Sequence, residues 1–480
     1  MSIKNRLPFL IGILITSLFF IIAWCVGESQ LPNSGYSLFE LSKKIFSDQF
    51  YEFNTWRAYN SDIKSLSFPF GFPILLSLIG EIFGYRPMNS IYLNCFIALL
   101  TWISLYRLCT YNLKLTSIFA ISISISVILN PFYTQQLFSG NTIPTAILLL
   151  VLSGNVLQKS CFLAGLMIGF SALIRFDCIL YGAVFIAFIF LLDNRKILSI
   201  CKPEKISLFL GFFIGLSPWI CFSILNFGRI WATDNSWVAV SATYAYVNEF
   251  PAYSDKTLFT NPLMWSLRVT NNIVPFVLSF LKTLIRSPIT VWSLVMNFLF
   301  WNQINRKLQF IYITTLLLIT LCSLPYITTG YYFIQRYYTL PILAICILSI
   351  WSINELKNIS KIQFLKLSLI VSISLTLVLS FKYLGQLSLN GINQSRSIDN
   401  ELKLINSLSK CHMKESQITY IFDRKSDLNI NLFRYGAITG MKTAILPRNW
   451  KELTEAKKTE YFRKMDPYKV IDKQYNGDCL

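Results

Sequence analysis

The sequence has a single histidine, His412, and no two cysteines at CxxC spacing. Structural zinc sites are assembled from Cys and His at short, fixed intervals, and this chain offers no such set. Charge is also scarce. Only 14% of the 480 residues are Asp, Glu, Lys or Arg, against about 25% in an ordinary soluble domain. No internal repeat and no low-complexity linker breaks the chain. What fills the space is apolar: 54% hydrophobic and 15% aromatic residues, with a mean hydropathy of +0.51. A charge deficit of this size, combined with repeated apolar runs, places the chain in the membrane class.

Acidic residues are the scarcer sign, 24 against 43 basic, for a net charge of +19. Such an excess can mark a nucleic-acid binder, but here the basic residues sit mostly in short gaps between apolar runs, where cytoplasmic loops collect Lys and Arg. The C-terminal segment mixes both signs and carries no nucleic-acid motif. Nine of the eleven cysteines lie in or beside apolar runs and read as small buried hydrophobes. The other two, Cys411 and Cys479, bracket the polar tail.

A membrane-spanning helix needs about 20 apolar residues. The candidate runs are 7–26, 89–107, 115–131, 143–156, 161–175, 178–192, 206–226, 288–303, 308–325, 337–353 and 364–384. The first follows Lys4 and Arg6 and lacks a small-residue cleavage site, so it is expected to be an uncleaved helix with a cytoplasmic N-terminus. Alternate gaps then hold Arg107 and Lys114, Lys159, Arg195 with Lys196, Lys202 and Lys205, Arg306 with Lys307, and Lys357 with Lys361 and Lys366. Each is short and basic, as inner loops are. An odd count puts the tail outside.

Two outer gaps are long. Residues 27–88 hold Glu28, Asn33, Tyr36, Glu40, Asp48, Glu52, Arg57 and Asp62. Within that gap, 36–47 reads as an interfacial amphipathic helix and 68–84 as a short apolar helix on or in the outer surface. The second gap, 227–287, is rich in Trp, Tyr and Asn. In the tail, ITYIFD (418–423) reads as a strand, 433–446 as a helix or strand segment with a Gly turn, and 450–465 as an amphipathic helix. The expected fold is an all-α polytopic membrane bundle of about 11 transmembrane helices. It occupies residues 1–387, followed by a small extracytoplasmic α/β domain over 388–480.

Two polar loops on one face of a bundle can roof a cavity suited to a half-lipid substrate. A carboxylate there can serve as a general base, and Arg can meet a departing phosphate. Ionisable groups beside apolar helices are functional candidates by default; here they are Glu28, Arg175, Asp177 and Arg336. Each has a plainer reading. Glu28 can be a solvated helix exit, Arg175 can snorkel to headgroups, and the neighbours of Arg336, Tyr337 and Tyr338, are ordinary interfacial anchors. Pro69, Gly71 and Pro73 shape a turn. If the tail is outside, Cys411 and Cys479 meet an oxidising compartment and can pair; free thiols near a chain end are the alternative.

Six segments together carry a resemblance. They are LPNSGYSLFELSKKI (31–45), SFPFGFPILLSLIGEIFGYR (67–86), NPFYTQQLFSGNTIPT (130–145), FLAGLMIGFSALIRFD (162–177), NFGRIWATDNSW (226–237) and QRYYTLPIL (335–343). In order and spacing they resemble the polytopic C-type glycosyltransferases that use polyprenyl-phosphate sugars, among them protein mannosyltransferases and the aminoarabinose transferase of lipid A. The resemblance implies an inverting transfer from a polyprenyl-phosphate-linked sugar to a glycan, lipid or protein acceptor in the cell envelope, at the outer face of a bacterial plasma membrane. It implies Arg175 and Arg336 as donor-phosphate ligands and Tyr36, Asn141 and Tyr337 as substrate contacts. The family's acid before the Tyr aligns with Asn33, and a second acidic position aligns with Asn141. Asn cannot act as a base. Either Glu28 takes that role with Asn33 holding substrate, or the alignment slips, or the chain is a non-catalytic member. Metal use differs within the family, and no cofactor or metal site is read from this sequence. Two other functions stay open: a transporter or flippase for a lipid-linked sugar, which inverted repeats would favour, and a non-catalytic protein that binds a lipid-linked glycan or scaffolds a polymer-assembly complex.

Overall fold

A computed structural model of the chain describes residues 3–47, 55–56, 68–183, 186, 202–228, 230, 262–304, 362–409, 418–422, 432–439, 442–445, 454–456 and 467–471, with scattered positions between 306 and 346. Its elements, in order, are α1 (Ile3–Val26), a 3-10 turn (Gly27–Gln30), α2 (Asn33–Lys44), β1 (Thr55–Trp56), α3 (Gly71–Phe83) and α4 (Asn89–Arg107). Then come a π-helical turn (Leu108–Asn112), α5 (Ser117–Ile128), α6 (Pro131–Phe138), α7 (Ile143–Val156), α8 (Cys161–Ile174) and α9 (Lys202–Phe227). The chain continues with α10 (Pro262–Ile285), α11 (Pro288–Leu299), α12 (Ile362–Ser409), β2 (Ile418–Phe422), α13 (Leu432–Thr439), β3 (Lys442–Ile445) and β4 (Pro467–Ile471).

Four helices are long and apolar enough to cross a bilayer: Leu7–Val26, Asn89–Asn112, Glu204–Asn226 and Leu367–Asn390. The count among the described residues rises to six if two bent pairs each make one span. The first pair, α5 and α6, bends by 49°. Pro131 opens α6 with no N–H to give, and the Asn130 carboxamide accepts from the Phe132 amide at 2.9 Å, so the chain restarts as a capped helix. The second pair breaks by 101° ahead of Pro288. Among the described residues the expected eleven spans are therefore not found. Helices α3, α7 and α8, of 13, 14 and 14 residues, reach only about 20 Å at 1.5 Å per residue, short of the roughly 30 Å hydrocarbon layer. Most of 178–192, 308–325 and 337–353 lies outside the described residues.

Large apolar side chains stand exposed on the helix flanks, among them Leu14, Ile21 and Trp24 on α1, Leu225 on α9, Phe298 on α11 and Val378 on α12. In water, apolar surface so extensive would drive association; around a bundle with these spans it is lipid-facing surface. The interior is held by two devices. Asparagines stitch α4 and its π-helical extension to α7: the Asn94 amide donates to the Asn141 carbonyl at 2.8 Å, Asn155 to Ser104 at 2.8 Å, and Asn112 to Gly154 at 2.9 Å. Away from water, such bonds satisfy groups that would otherwise be costly to bury. The second device is the contact between α8 and α9, which run parallel along facing glycines. A Cβ on Gly215 would sit 2.6 Å from the Leu166 carbonyl oxygen, and Gly165, Gly169 and Gly211 are as tightly faced by backbone.

The tail does not close on itself. Helix α12 runs unbroken through position 388, where the composition turns polar. The sheet beyond it is four-stranded and parallel, in the order β1-β3-β2-β4. Its edge strand, Thr55–Trp56, comes from the loop that follows α1. The expectation of a self-contained C-terminal α/β unit over 388–480 is corrected accordingly, since the sheet takes a strand from residues 55–56. Strand β2 falls where ITYIFD was read as a strand. The segment 433–446 divides into α13 and β3.

Candidate functional site

The loop after α1 folds over one end of the bundle, and α2 is its centre. Residues 35–42 are all buried, so the expectation of an interfacial amphipathic helix is corrected. The reason is that α2 is covered by more than one neighbour, with α3 and α13 both packed against it. Its foot rests on the turn between α6 and α7. Gly35 lies against Leu31 and the Ser139 carbonyl, and Gly140, at φ +60°, fits between Leu31 and the Ser90 hydroxyl. No side chain fits there, and the left-handed backbone suits glycine.

Glu28 sits in the 3-10 turn, and its carbonyl accepts from the Leu31 amide at 3.0 Å. The Tyr36 hydroxyl donates to Glu28 Oε2 at 3.4 Å. Arg434, from α13, donates from Nε to the Tyr36 hydroxyl at 2.7 Å, with its guanidinium 5.1 Å from the centre of the Tyr36 ring. Arg434 is only 5% exposed. Burial pushes the Glu28 carboxyl above its ordinary pKa of 4.5, opposed by the Arg434 charge and the Tyr36 hydrogen bond. At the other end of α2, Lys43 Nζ donates to the Ala437 carbonyl at 3.4 Å, in the last turn of α13, where a cation also complements the helix dipole. Lys44 pairs with the buried Glu40 at 3.0 Å. So α13 is tied to α2 at two points.

The second cluster adjoins the first through that same turn. Arg175, in the extended residue that ends α8, makes a bidentate pair with Asp177: Nε to Oδ1 at 2.8 Å and Nη2 to Oδ2 at 2.6 Å. Its third nitrogen reaches the Asn141 carboxamide oxygen at 3.5 Å and the Thr142 hydroxyl at 3.4 Å. Asn141 follows Gly140, and Gly140 touches Leu31, three residues after Glu28. Glu28, Tyr36, Asn141 and Arg175 therefore share one end of the bundle. The basic residues Arg107, Lys114, Lys159 and Lys205 lie at or near the opposite ends of α4, α5, α7 and α9.

Of the residues expected at the site, the structure brings together Glu28 with Tyr36, and Arg175 with Asn141. Asn33 opens α2; its side chain, together with Arg336, Tyr337, Cys411 and Cys479, lies outside the described residues. Sequence reasoning missed Arg434 and Thr142. The one signal for Arg434 was an Arg inside the apolar stretch 432–438, in a tail treated as separate. Among the described residues no three of His, Cys, Asp and Glu gather as metal ligands. An apolar groove of about 560 Å³ runs between α11 and α12, lined by Pro288, Trp292, Leu367, Val371 and Leu375 among others. Compared with family models, curated proteins and solved structures, the chain matches none.

Proposed function

We propose that this chain is a membrane glycosyltransferase that moves a sugar from a polyprenyl-phosphate donor to an envelope acceptor: a glycan, a lipid or a protein. The observation that carries the reading is a half-buried carboxylate, Glu28, held by Tyr36 with the buried Arg434 behind it, at the same end of an apolar bundle as the Arg175–Asp177 pair. A general base needs a proton affinity above that of a solvated carboxylate and a position at the mouth of the binding space. Burial gives Glu28 the first, and in this reading its place in the turn after α1 supplies the second. In this reading it takes the proton of the acceptor hydroxyl as that oxygen attacks the anomeric carbon, and the polyprenyl phosphate leaves with the bonding electron pair. Arg175 or Arg336 meets the phosphate, Asn33 holds sugar or acceptor, and the prenyl chain follows an apolar groove such as that between α11 and α12. The site end would face outward, because the opposite helix ends carry the Lys and Arg that the positive-inside rule assigns to the cytoplasm. The sheet and α13 would then form an extracytoplasmic α/β cover.

The test is transfer of labelled sugars from polyprenyl phosphates by purified protein in liposomes, with Glu28→Gln alongside. Loss of transfer in the variant supports the reading; unchanged transfer removes Glu28 from it. A second reading is favoured by the Arg175–Asp177 pair, whose cation is already neutralised. There the protein binds a lipid-linked glycan without turnover, and donor binding with no transfer from any donor identifies that case.

A further inference from the structure

Arg434 comes from the far end of the chain and is buried against the loop that holds Glu28. A guanidinium has donors only. Its 2.7 Å bond from Nε therefore makes the Tyr36 oxygen an acceptor, and that leaves the single Tyr36 proton for Glu28 Oε2. The polarity of the whole chain, from Arg434 to Tyr36 to Glu28, is set by the one group in it that can only give. Linked bonds of this kind reinforce each other away from water. The helix that delivers Arg434 is itself held in place by the Lys43 bond to Ala437.

We propose that Arg434 is a positioning residue: acting through Tyr36, it holds Glu28 as an oriented carboxylate at the mouth of the bundle. The inference rests on the reading of Glu28 as base. The groups facing Glu28 from the packed elements agree with it. Tyr36 comes from α2 and Arg434 from α13. Helix α12, which also packs on the 3-10 turn, turns Leu384 and Leu387 inward and leaves Lys382 exposed; α1 meets the turn through Val26. Arg434 is the one described cation that bears on the carboxyl.

The experiment uses the full chain in liposomes, with Arg434→Gln, Arg434→Lys and Tyr36→Phe. Transfer from a labelled polyprenyl-phosphate sugar is followed against pH. In parallel, the Glu28 carboxyl is titrated by infrared difference spectroscopy against Glu28→Gln. For Arg434→Gln the expected result is a loss of transfer on the acid limb of the pH profile, about tenfold for each unit by which the titration moves. That loss recovers as pH rises, and the carboxyl titration moves upward. Arg434→Lys, which keeps the charge, restores most of the titration. Tyr36→Phe removes only a hydroxyl and moves the titration in the same direction as Arg434→Gln. An unmoved titration in Arg434→Gln or in Tyr36→Phe overturns the proposal, as does a loss of transfer equal at every pH. If Glu28→Gln transfers like the wild type, the base assignment fails while the infrared titration still decides whether Arg434 governs the carboxyl.

Discussion

Arg434 Nε lies 2.7 Å from the Tyr36 hydroxyl although 398 positions separate them. The bond ties α2 to α13, and it places a fixed positive charge behind the only carboxylate in the 3-10 turn that follows α1. Four predictions follow from this end of the bundle and the seam beside it.

Glu28 carries a raised pKa in the folded protein, chiefly from burial. The folded state then holds its proton to higher pH than the unfolded chain does. By linkage, Glu28 favours folding below its folded pKa, and this contribution is lost as pH rises from about 4.5 through the raised value. Thermal unfolding in detergent should show Glu28→Gln equal to wild type in acid and more stable at neutral pH. A gap that widens on acidification instead would contradict the assignment of burial as the main cause.

Arg175 and Asp177 form a pair with side chains 10% and 13% exposed. Removing one partner leaves a largely buried charge without its counter-ion, at a cost of about 3 kcal/mol. Asp177→Asn should lower the unfolding midpoint measurably. Arg175→Lys should do so too, because an ammonium cannot reproduce the two parallel bonds. A neutral Asp177→Asn would mean that the remaining contacts of the guanidinium, Asn141 and Thr142 among them, satisfy it.

Gly140 and Gly27 both have positive φ, +60° and +57°. A Cβ at Gly27 meets nothing within 4 Å among the described residues, whereas at Gly140 it collides with Ser90 and Leu31. Gly27→Ala should cost about 1–2 kcal/mol, the backbone penalty alone. Gly140→Ala should cost about 3 kcal/mol or more once overpacking is added. Equal midpoints for the two variants would show that the Leu31 contact gives way freely.

The α8–α9 seam allows a sharper contrast. Gly169→Val should abolish folded, monodisperse protein in size-exclusion chromatography, since backbone stands where the side chain must go. Gly385→Ala, in the exposed middle of α12 with nothing within 4 Å among the described residues, should be neutral or raise stability by up to about 1 kcal/mol.

The membrane character, the first span over 7–26 and the asymmetry of basic loops could be read directly from residues, because each rests on local composition. Glu28 and Arg175 were also legible as candidates, being ionisable groups beside apolar runs, whereas Tyr36 and Asn141 were reached only through the family resemblance. Their partnerships were not legible. Nothing local tells that Arg175 turns back on Asp177, or that Lys43 reaches Ala437. The amphipathic pattern of 36–47 suggested a surface helix because periodicity reports one apolar face; it cannot report that Glu40, on the polar side, is also buried and paired with Lys44. The span count differs because runs such as 143–156 and 161–175 form helices of only 14 residues, shorter than a full crossing needs, and because most of three further runs lies outside the described residues.

The covering of α2 by α13 also sets an order in time. A ribosome adding about 5–20 residues per second needs roughly 20–80 s to travel from Tyr36 to Arg434. Throughout that interval α2 has been made but lacks α13, and strand β1 has no β3 to pair with. The newborn chain must therefore carry an unsealed apolar helix and a lone edge strand until α13 and β3 have emerged. Any factor that attends the folding of this protein has its longest task at the first loop, and chains halted shortly before residue 434 should be the ones most readily bound by it and degraded.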